Sequence, residues 1–433
     1  MASFKDLKKI YKILKDVNIK DILSFIEKNP KLLKQFSKQK EPELNLNSDF
    51  YNIFHNLSDE DNTIRLKVRN FMDTTVKPII NDYWYKDEFP HDLIPLIKEL
   101  DICGLAYKGY GCQNKSTLLD GIVSAELARI DPSISTFVGV HSGLAMGSIY
   151  LCGSEEQKEN WLPLMRDMEI IGSFGLTEPN VGSAVAGGLT TTCKKNNDGT
   201  WTLNGQKKWI GNSTFSDLTI IWARDLDDHN VKGFIVEKDN EGFSVEKIEG
   251  KLSLKIVQNG LITLDNCIVE EKNRLQNANS FKDTAKVLKM TRTGVAWQSV
   301  GLSMGAYETT VKYCNERKQF GKTIDSFQLT QSALANMLGD LTAMQNMVYQ
   351  LSLLQDKGDM SDEQASLAKV WITKGMRRIV STGRELFGGN GILLEYGIAK
   401  YMADAEALYS YEGTAQINEL IVGRSITGKQ AFV

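Results

Sequence analysis

Gly175-Leu176-Thr177-Glu178-Pro179-Asn180-Val181-Gly182-Ser183 stands where the chain changes pattern. Before it, from about residue 58 to 165, apolar residues recur three and four apart, as in Leu93 to Leu100 and Leu118 to Ile130. Ser58-Asp59-Glu60-Asp61 offers a cap for the first of these helices. After it, to about residue 270, short β-rich runs are separated by turn residues such as Asn197-Asp198-Gly199, Asp239-Asn240-Glu241-Gly242 and Asn259-Gly260. Trp201/Leu203, Leu218/Ile220/Trp222 and Phe234/Val236 alternate with period two. Helical spacing returns beyond residue 280 and breaks at Gly388-Gly389-Asn390-Gly391. The order is helical, β, helical, without an internal repeat.

Composition narrows the function classes. The 433 residues are 42% hydrophobic and 24% charged, with eight prolines, which suits a large compact protein and excludes a disordered chain. A net charge of −3 leaves no basic excess for a nucleic-acid backbone. The six cysteines show no C-x-x-C spacing and the four histidines lie far apart, so a metal site or a histidine-based triad has little material. Residues 133 to 154 lack Asp, Glu, Lys and Arg, but their serines, glycines, Thr136 and His141 point to a buried helix rather than a membrane span. The first 40 residues carry eleven lysines, no arginine and four acids, with an apolar stripe from Ile10 to Ile26. This reads as a basic amphipathic leader, a presequence or a membrane-surface helix, and the chain ends without a peroxisomal S-K-L-type tail.

Between Lys322 and Asp356 the only charges are Asp325 and Asp340, while Leu334, Met337, Leu338, Leu341, Met344, Val348 and Leu351 follow helical spacing. A helix without a solvated face is buried twice, which predicts a homo-oligomer packed through these helices, or else a bundle interior. Two glycine–lysine stretches fail as phosphate loops: Glu316 to Thr323 lacks the first glycine, and Gln430 replaces the hydroxyl after Lys429. No Rossmann fingerprint is present. Three stretches suit a ligand: the quoted loop, with its hydroxyls and close-approach glycine; Trp209-Ile210-Gly211-Asn212-Ser213, a wall for a flat ring; and Tyr411-Glu412-Gly413-Thr414, read as a helical stretch whose glycine costs about 1 kcal/mol of helix propensity.

Together with Asn204-Gly205-Gln206-Lys207-Lys208, Arg317-Lys318-Gln319-Phe320-Gly321 and Phe387-Gly388-Gly389-Asn390-Gly391, these motifs resemble the acyl-CoA dehydrogenase family in order and spacing, over about residues 50 to 433. The likeness is greatest to its glutaryl-CoA dehydrogenase and plant short-chain acyl-CoA oxidase branches. It implies a mainly α fold with a central β-domain: an N-terminal helical domain at 45–168, a β-barrel-like domain at 169–275 and a C-terminal four-helix bundle at 276–433, with the lysine-rich leader at 1–44 outside the resemblance. It also implies FAD and a homotetramer (or dimer), in the mitochondrial matrix or a peroxisome. The chemistry it implies is removal of an α-proton from an acyl-CoA by Glu412 while the β-hydrogen passes to the flavin, with electron-transferring flavoprotein or oxygen as acceptor.

By resemblance, Phe174, Leu176, Thr177, Ser183, Trp209, Ile210 and Gly211 meet the flavin. Arg317, Gln328, Thr414, Gln416 and Phe432, with Glu385, Leu386, Phe387, Gly388 and Gly389 of a neighbouring subunit, meet the rest of FAD. Ser183, Arg292, Gly413, Ser135 and Thr136 are placed toward the substrate. Some relatives carry their base just before the arginine, where this chain has Thr291, which leaves Glu412 in the role. Ser135-Thr136 replace the Arg-Ser pair of glutaryl-CoA enzymes, so a monocarboxylic short-chain substrate is expected, with glutaryl-CoA as the alternative. Gly211 and Ala184 depart from common threonine and aspartate residues, and Ser213 is a candidate to compensate for the first. A non-catalytic CoA-binding module is the alternative of another kind.

Overall fold

The computed structural model describes residues 45–430, so the leader at 1–44 and Phe432 lie outside the described residues. The fold belongs to the compact unit that starts at Asn47. Helix α1 (Asp59–Phe71) begins as expected, the Ser58 hydroxyl accepting the Asp61 N–H at 3.1 Å with three acids in the first turn. Helix α2 (Thr117–Ile130) is buried along most of its length. Its Glu126 takes Arg65 at 2.8 Å and Arg69 at 3.2 Å, while Arg129 reaches Asp73 at 2.7 Å.

Helix α3 (Pro132–Cys152) starts at an Asp131 cap and widens to π geometry over Gly139–Met146. Among the described residues it is the one helix long and apolar enough to cross a bilayer, and 67% of its most apolar window is buried in the protein. Helix α4 (Glu155–Arg166) opens with a reciprocal Ser154–Gln157 capping box. His141 on α3 ties these helices to the sheet: one ring nitrogen meets the Met165 carbonyl oxygen at 2.8 Å and the other accepts the Gly172 N–H at 3.0 Å.

Seven strands follow: β1 (Gly172–Gly175), β2 (Thr192–Lys195), β3 (Trp201–Ile210), β4 (Leu218–Asp225), β5 (Val231–Glu237), β6 (Phe243–Lys247) and β7 (Gly260–Val269). β4 is the hub, with antiparallel β5 on one edge and parallel β1 and β2 sharing the other. The sheet continues from β2 through β3 and β7 to β6. The sequence pattern predicts one buried face for β4, yet every residue from Leu218 to Ala223 is buried. Leu218, Ile220 and Trp222 join the core beneath α2 and α3, whereas Ile221 and Ala223 face Trp201, Leu203, Phe234 and Ile262 on the other side. A strand covered on both faces cannot show a one-sided alternation.

The C-terminal helices are α5 (Phe281–Glu316), α6 (Gln328–Asp356), α7 (Asp362–Leu386), α8 (Ile398–Ser410) and α9 (Ala415–Thr427). Trp297, Met304, Leu341, Met344, Ile372, Met376 and Leu408 form part of their shared core. Helix α5 lies directly on α2: a Cβ at Gly301 would stand 2.1 Å from the Ala125 oxygen, and one at Gly305 1.9 Å from that of Arg129. Only glycine permits that approach. Tyr411-Glu412-Gly413-Thr414 is not helical as read from its periodicity. It is the break between α8 and α9, with Glu412 at φ 54° and Gly413 at φ 85°, and Thr414 caps α9 by accepting the Ile417 N–H at 3.3 Å. The glycine therefore costs no helix propensity there and instead supplies the left-handed backbone.

Candidate active site

The β1 exit loop, the end of β3, the π segment of α3, the start of α5 and the α8–α9 break converge on one cavity of about 1370 Å³. Its volume exceeds the roughly 300–1,000 Å³ of an ordinary single-ligand pocket. Of the residues expected at the site, Phe174, Leu176, Thr177, Ser183, Trp209, Ile210, Gly211, Ser135, Thr136, Arg292, Glu412, Gly413 and Thr414 all line it. Arg317, Glu385, Leu386, Phe387, Gly388 and Gly389 line a separate surface cavity of about 390 Å³, floored by the stacked rings of Tyr313 and Phe387, 3.8 Å apart. Gln328, the first residue of α6, and Gln416 line neither cavity.

Local structure explains the placements. A register shift in the β3–β7 pairing between Lys208 and Ile210 falls on Trp209, which adopts φ 70° and stays 55% exposed, so the indole opens on the cavity rather than packing in the core. Bulges turn a strand's side chains in this way beside functional sites. The Thr177 hydroxyl donates to the Lys208 carbonyl at 2.6 Å, locking the β1 exit loop against the same bulge. Glu178, within the stretch that divides the sequence pattern, points inward: it accepts from the Thr190 and Thr191 N–H groups and from the buried Lys207 ammonium at 2.9 Å. Ser213 does not replace a hydroxyl at Gly211, because its own is buried and donates to the Ile210 carbonyl at 2.8 Å. A side chain at Gly211 would itself crowd Val140 at 3.3 Å.

Around Glu412 the chemistry is concentrated. The Thr291 hydroxyl donates to its carboxylate at 3.3 Å, and Thr291 sits where the resemblance places an alternative base. Burial raises the Glu412 carboxyl above its ordinary range, against the opposing pull of Arg292, Thr291 and Lys369. Lys369, fully buried on α7, donates to the Tyr409 carbonyl at 2.9 Å and the Gly413 carbonyl at 2.8 Å, bracketing the turn. Burial lowers its ammonium to about 8, with Glu412 acting in the opposite sense. The N–H groups of Glu412 and Gly413 donate to no described residue. Tyr411 donates to Gln298 and lies 3.4 Å from the Thr136 hydroxyl. Arg292 pairs with Asp362 but keeps a buried Nε without a partner. Lys369, Gln298 and Tyr313 escape motif reading, since their partners are remote in sequence; a lysine on the apolar stripe of α7 is the one available signal.

The residues fit a flat cofactor beside a long thioester: the cavity has room for both, the bulge presents an indole, and unpaired donors remain at Glu412, Gly413 and Arg292. A helical bundle set against a sheet, with a carboxylate facing a two-ligand cavity, is the architecture of a cofactor-dependent enzyme. Three family descriptions match the chain in order: the acyl-CoA dehydrogenase N-terminal domain at residues 58–169, the middle domain at 173–267 and the C-terminal domain at 281–427. An acyl-CoA dehydrogenase of Bacillus subtilis is 32% identical over 373 residues, 84% of this chain and 97% of its own. A glutaryl-CoA dehydrogenase of Mycobacterium smegmatis, solved in complex with FADH2, superposes with a TM-score of 0.85 at 33% identity, covering 88% of this chain and 98% of its own. Butyryl-CoA dehydrogenase of Megasphaera elsdenii superposes at 0.82 with 29% identity, over 86% and 99%. The chain belongs to the acyl-CoA dehydrogenase family, and is a flavin-dependent oxidoreductase acting on acyl-CoA with FAD as its cofactor.

Proposed function

We propose that the enzyme converts a short-chain monocarboxylic acyl-CoA to the trans-2-enoyl-CoA, with Glu412 as the base. The observation that carries this reading is the Glu412 carboxylate, held in the wall of the cavity by the α8–α9 break and raised in basicity by burial. FAD, when bound, supplies the acceptor for the β-hydrogen. Phe174, Leu176, Thr177, Ser183 and the Trp209–Gly211 turn would hold its ring, and Thr414 stands at the same wall. Glu412 takes the α-proton, and the free N–H groups at Glu412 and Gly413 are donors for the thioester oxygen as negative charge grows on it. Tyr411, next to the base in the chain, is itself fixed by Gln298 and Thr136.

Ser135 and Thr136 line the cavity as neutral groups: the first bonds Ser124 and the second the Pro132 carbonyl. A distal carboxylate would find no cation there, which favours a monocarboxylic chain over glutaryl-CoA. Because Arg317 lies with Glu385 to Gly389 in one surface cavity, apart from the wall that would hold the ring, these residues would not be divided between two subunits as expected, and the cavity as a whole would serve FAD of a neighbouring subunit in a homotetramer. Electrons would leave to electron-transferring flavoprotein or oxygen, and stopped-flow reoxidation in air separates the two.

The test is anaerobic titration of the yellow protein with butyryl-, hexanoyl- and glutaryl-CoA, following flavin bleaching. Butyryl- or hexanoyl-CoA is expected to bleach faster than glutaryl-CoA, and Glu412→Gln to slow bleaching by about 10²–10⁴-fold, the usual worth of a positioned base. Bleaching that survives the substitution, or a preference for glutaryl-CoA, overturns the assignment.

A further inference from the structure

One cavity residue has no counterpart in the catalytic arrangement. Thr117, Asp120, Gly121 and Ser124 occupy positions i, i+3, i+4 and i+7 of α2, and all four line the cavity. Asp120 is the acid among them. Its carboxylate accepts no hydrogen bond and pairs with no cation among the described residues; Lys115, the nearest cation in sequence, is held by Glu60 at 2.7 Å and Asp61 at 3.4 Å. The groups that feel its charge, Cys103 and Tyr107, are themselves pushed up by burial and stay neutral, and the Tyr107 hydroxyl is already donated to Ser142. Withdrawal from water alone raises the Asp120 carboxyl to about 6, so near neutral pH it is largely an anion.

An unpaired carboxylate against an apolar wall is costly, and a hydrocarbon chain laid against it removes the remaining water and deepens the cost. A ligand bearing a donor reverses that sign, because a hydrogen bond to a charged acceptor is the strong kind. We infer that Asp120 is a specificity-determining residue that selects acyl-CoA substrates whose chain carries a hydrogen-bond donor, a hydroxyl or ammonium group, beyond the reacting carbons. The inference rests on reading this cavity as the acyl-CoA site. It also supplies a second disfavouring contact for glutaryl-CoA, whose distal carboxylate would meet a like charge.

The experiment uses the FAD-loaded enzyme carrying Glu412→Gln, which binds without turnover, and calorimetric affinities for matched pairs: butyryl- with 4-hydroxybutyryl-CoA, and hexanoyl- with 6-hydroxyhexanoyl- and 6-aminohexanoyl-CoA. At least one donor-bearing member is expected to bind about tenfold or more tighter than its unsubstituted partner. Asp120→Leu added to that background should invert the ratio, and Asp120→Asn, of the same shape, should reduce it; since no described residue bonds the carboxylate, neither change removes an internal contact. Donor-bearing chains that bind no better than plain ones, or a ratio that Asp120→Leu leaves unmoved, overturn the inference. Failure of the underlying reading looks different: no acyl-CoA, plain or substituted, then bleaches the flavin of the unaltered enzyme.

Discussion

Lys369 occupies a position where α7 otherwise turns Ala365, Ile372 and Met376 toward the core, and it does so fully buried. Its ammonium bonds two carbonyls that bracket Glu412, so it is a positioning residue: it fixes the left-handed turn and lends the carboxylate a nearby positive charge. With an ammonium lowered only to about 8, it remains mostly charged at neutral pH. The rate of proton abstraction should rise with pH as Glu412 ionises, along a limb whose midpoint lies above the ordinary carboxyl value, because burial raises that group. Lys369→Met removes a charge that favours the carboxylate, so the limb in kcat/KM is expected to move to higher pH. A role confined to packing would lower the melting temperature and leave the limb in place. Glu412 itself was legible, since its four-residue motif matches a known pattern; Lys369 was not, because the carbonyls it braces lie 40 and 44 residues away.

At the scale of elements, the loop after β1 depends on an ion pair that composition does not reveal. Glu178 and Lys207 have side chains 1% and 0% exposed, and they clamp the loop to β3 just before the bulge that presents Trp209. Although burial works against the charge, Lys207 and the Thr190 donors hold the Glu178 carboxyl down at about 2. A depressed acid stabilises the fold at pH above its unfolded value and loses that contribution as pH falls toward 2. Glu178→Ala leaves Lys207 buried and unpaired, which should cost about 3–5 kcal/mol. The measurement is denaturant unfolding, with loss of flavin from the folded variant as the local readout. The sequence pattern marked this loop as a ligand-facing polar turn, and Thr177 and Ser183 do line the cavity. It missed that the glutamate faces inward, because the sign of a turn residue's direction is set by what lies beneath it.

Across the whole molecule, the doubly apolar helix α6 is half explained by a single chain. Met337, Leu341, Met344, Val348 and Leu351 are buried in the bundle, while Leu329, Ala335, Asn336, Gly339, Ala343 and Asn346 remain exposed and uncharged. An exposed face whose one charge, Asp340, is paired with Arg378 at 2.9 Å is what an interface with a second copy requires. Sedimentation equilibrium at micromolar concentration is expected to give a multiple of 48.5 kDa, and Ala343→Arg to shift the distribution toward smaller species. A monomeric native protein would refute the assembly and, with it, the shared role of the Arg317–Gly388 cavity.

Hydrophobic periodicity by itself determined the succession of helical, β and helical regions, and a set of short motifs determined the family, because both are local properties of consecutive residues. Tertiary structure alone decided that β4 is covered on both faces, that Glu412 lies in a left-handed break rather than a helix, and that Asp120 shares a cavity with it. Those outcomes depend on which surfaces meet, and burial, pairing and pKa are properties of the meeting, absent from any stretch of chain read alone.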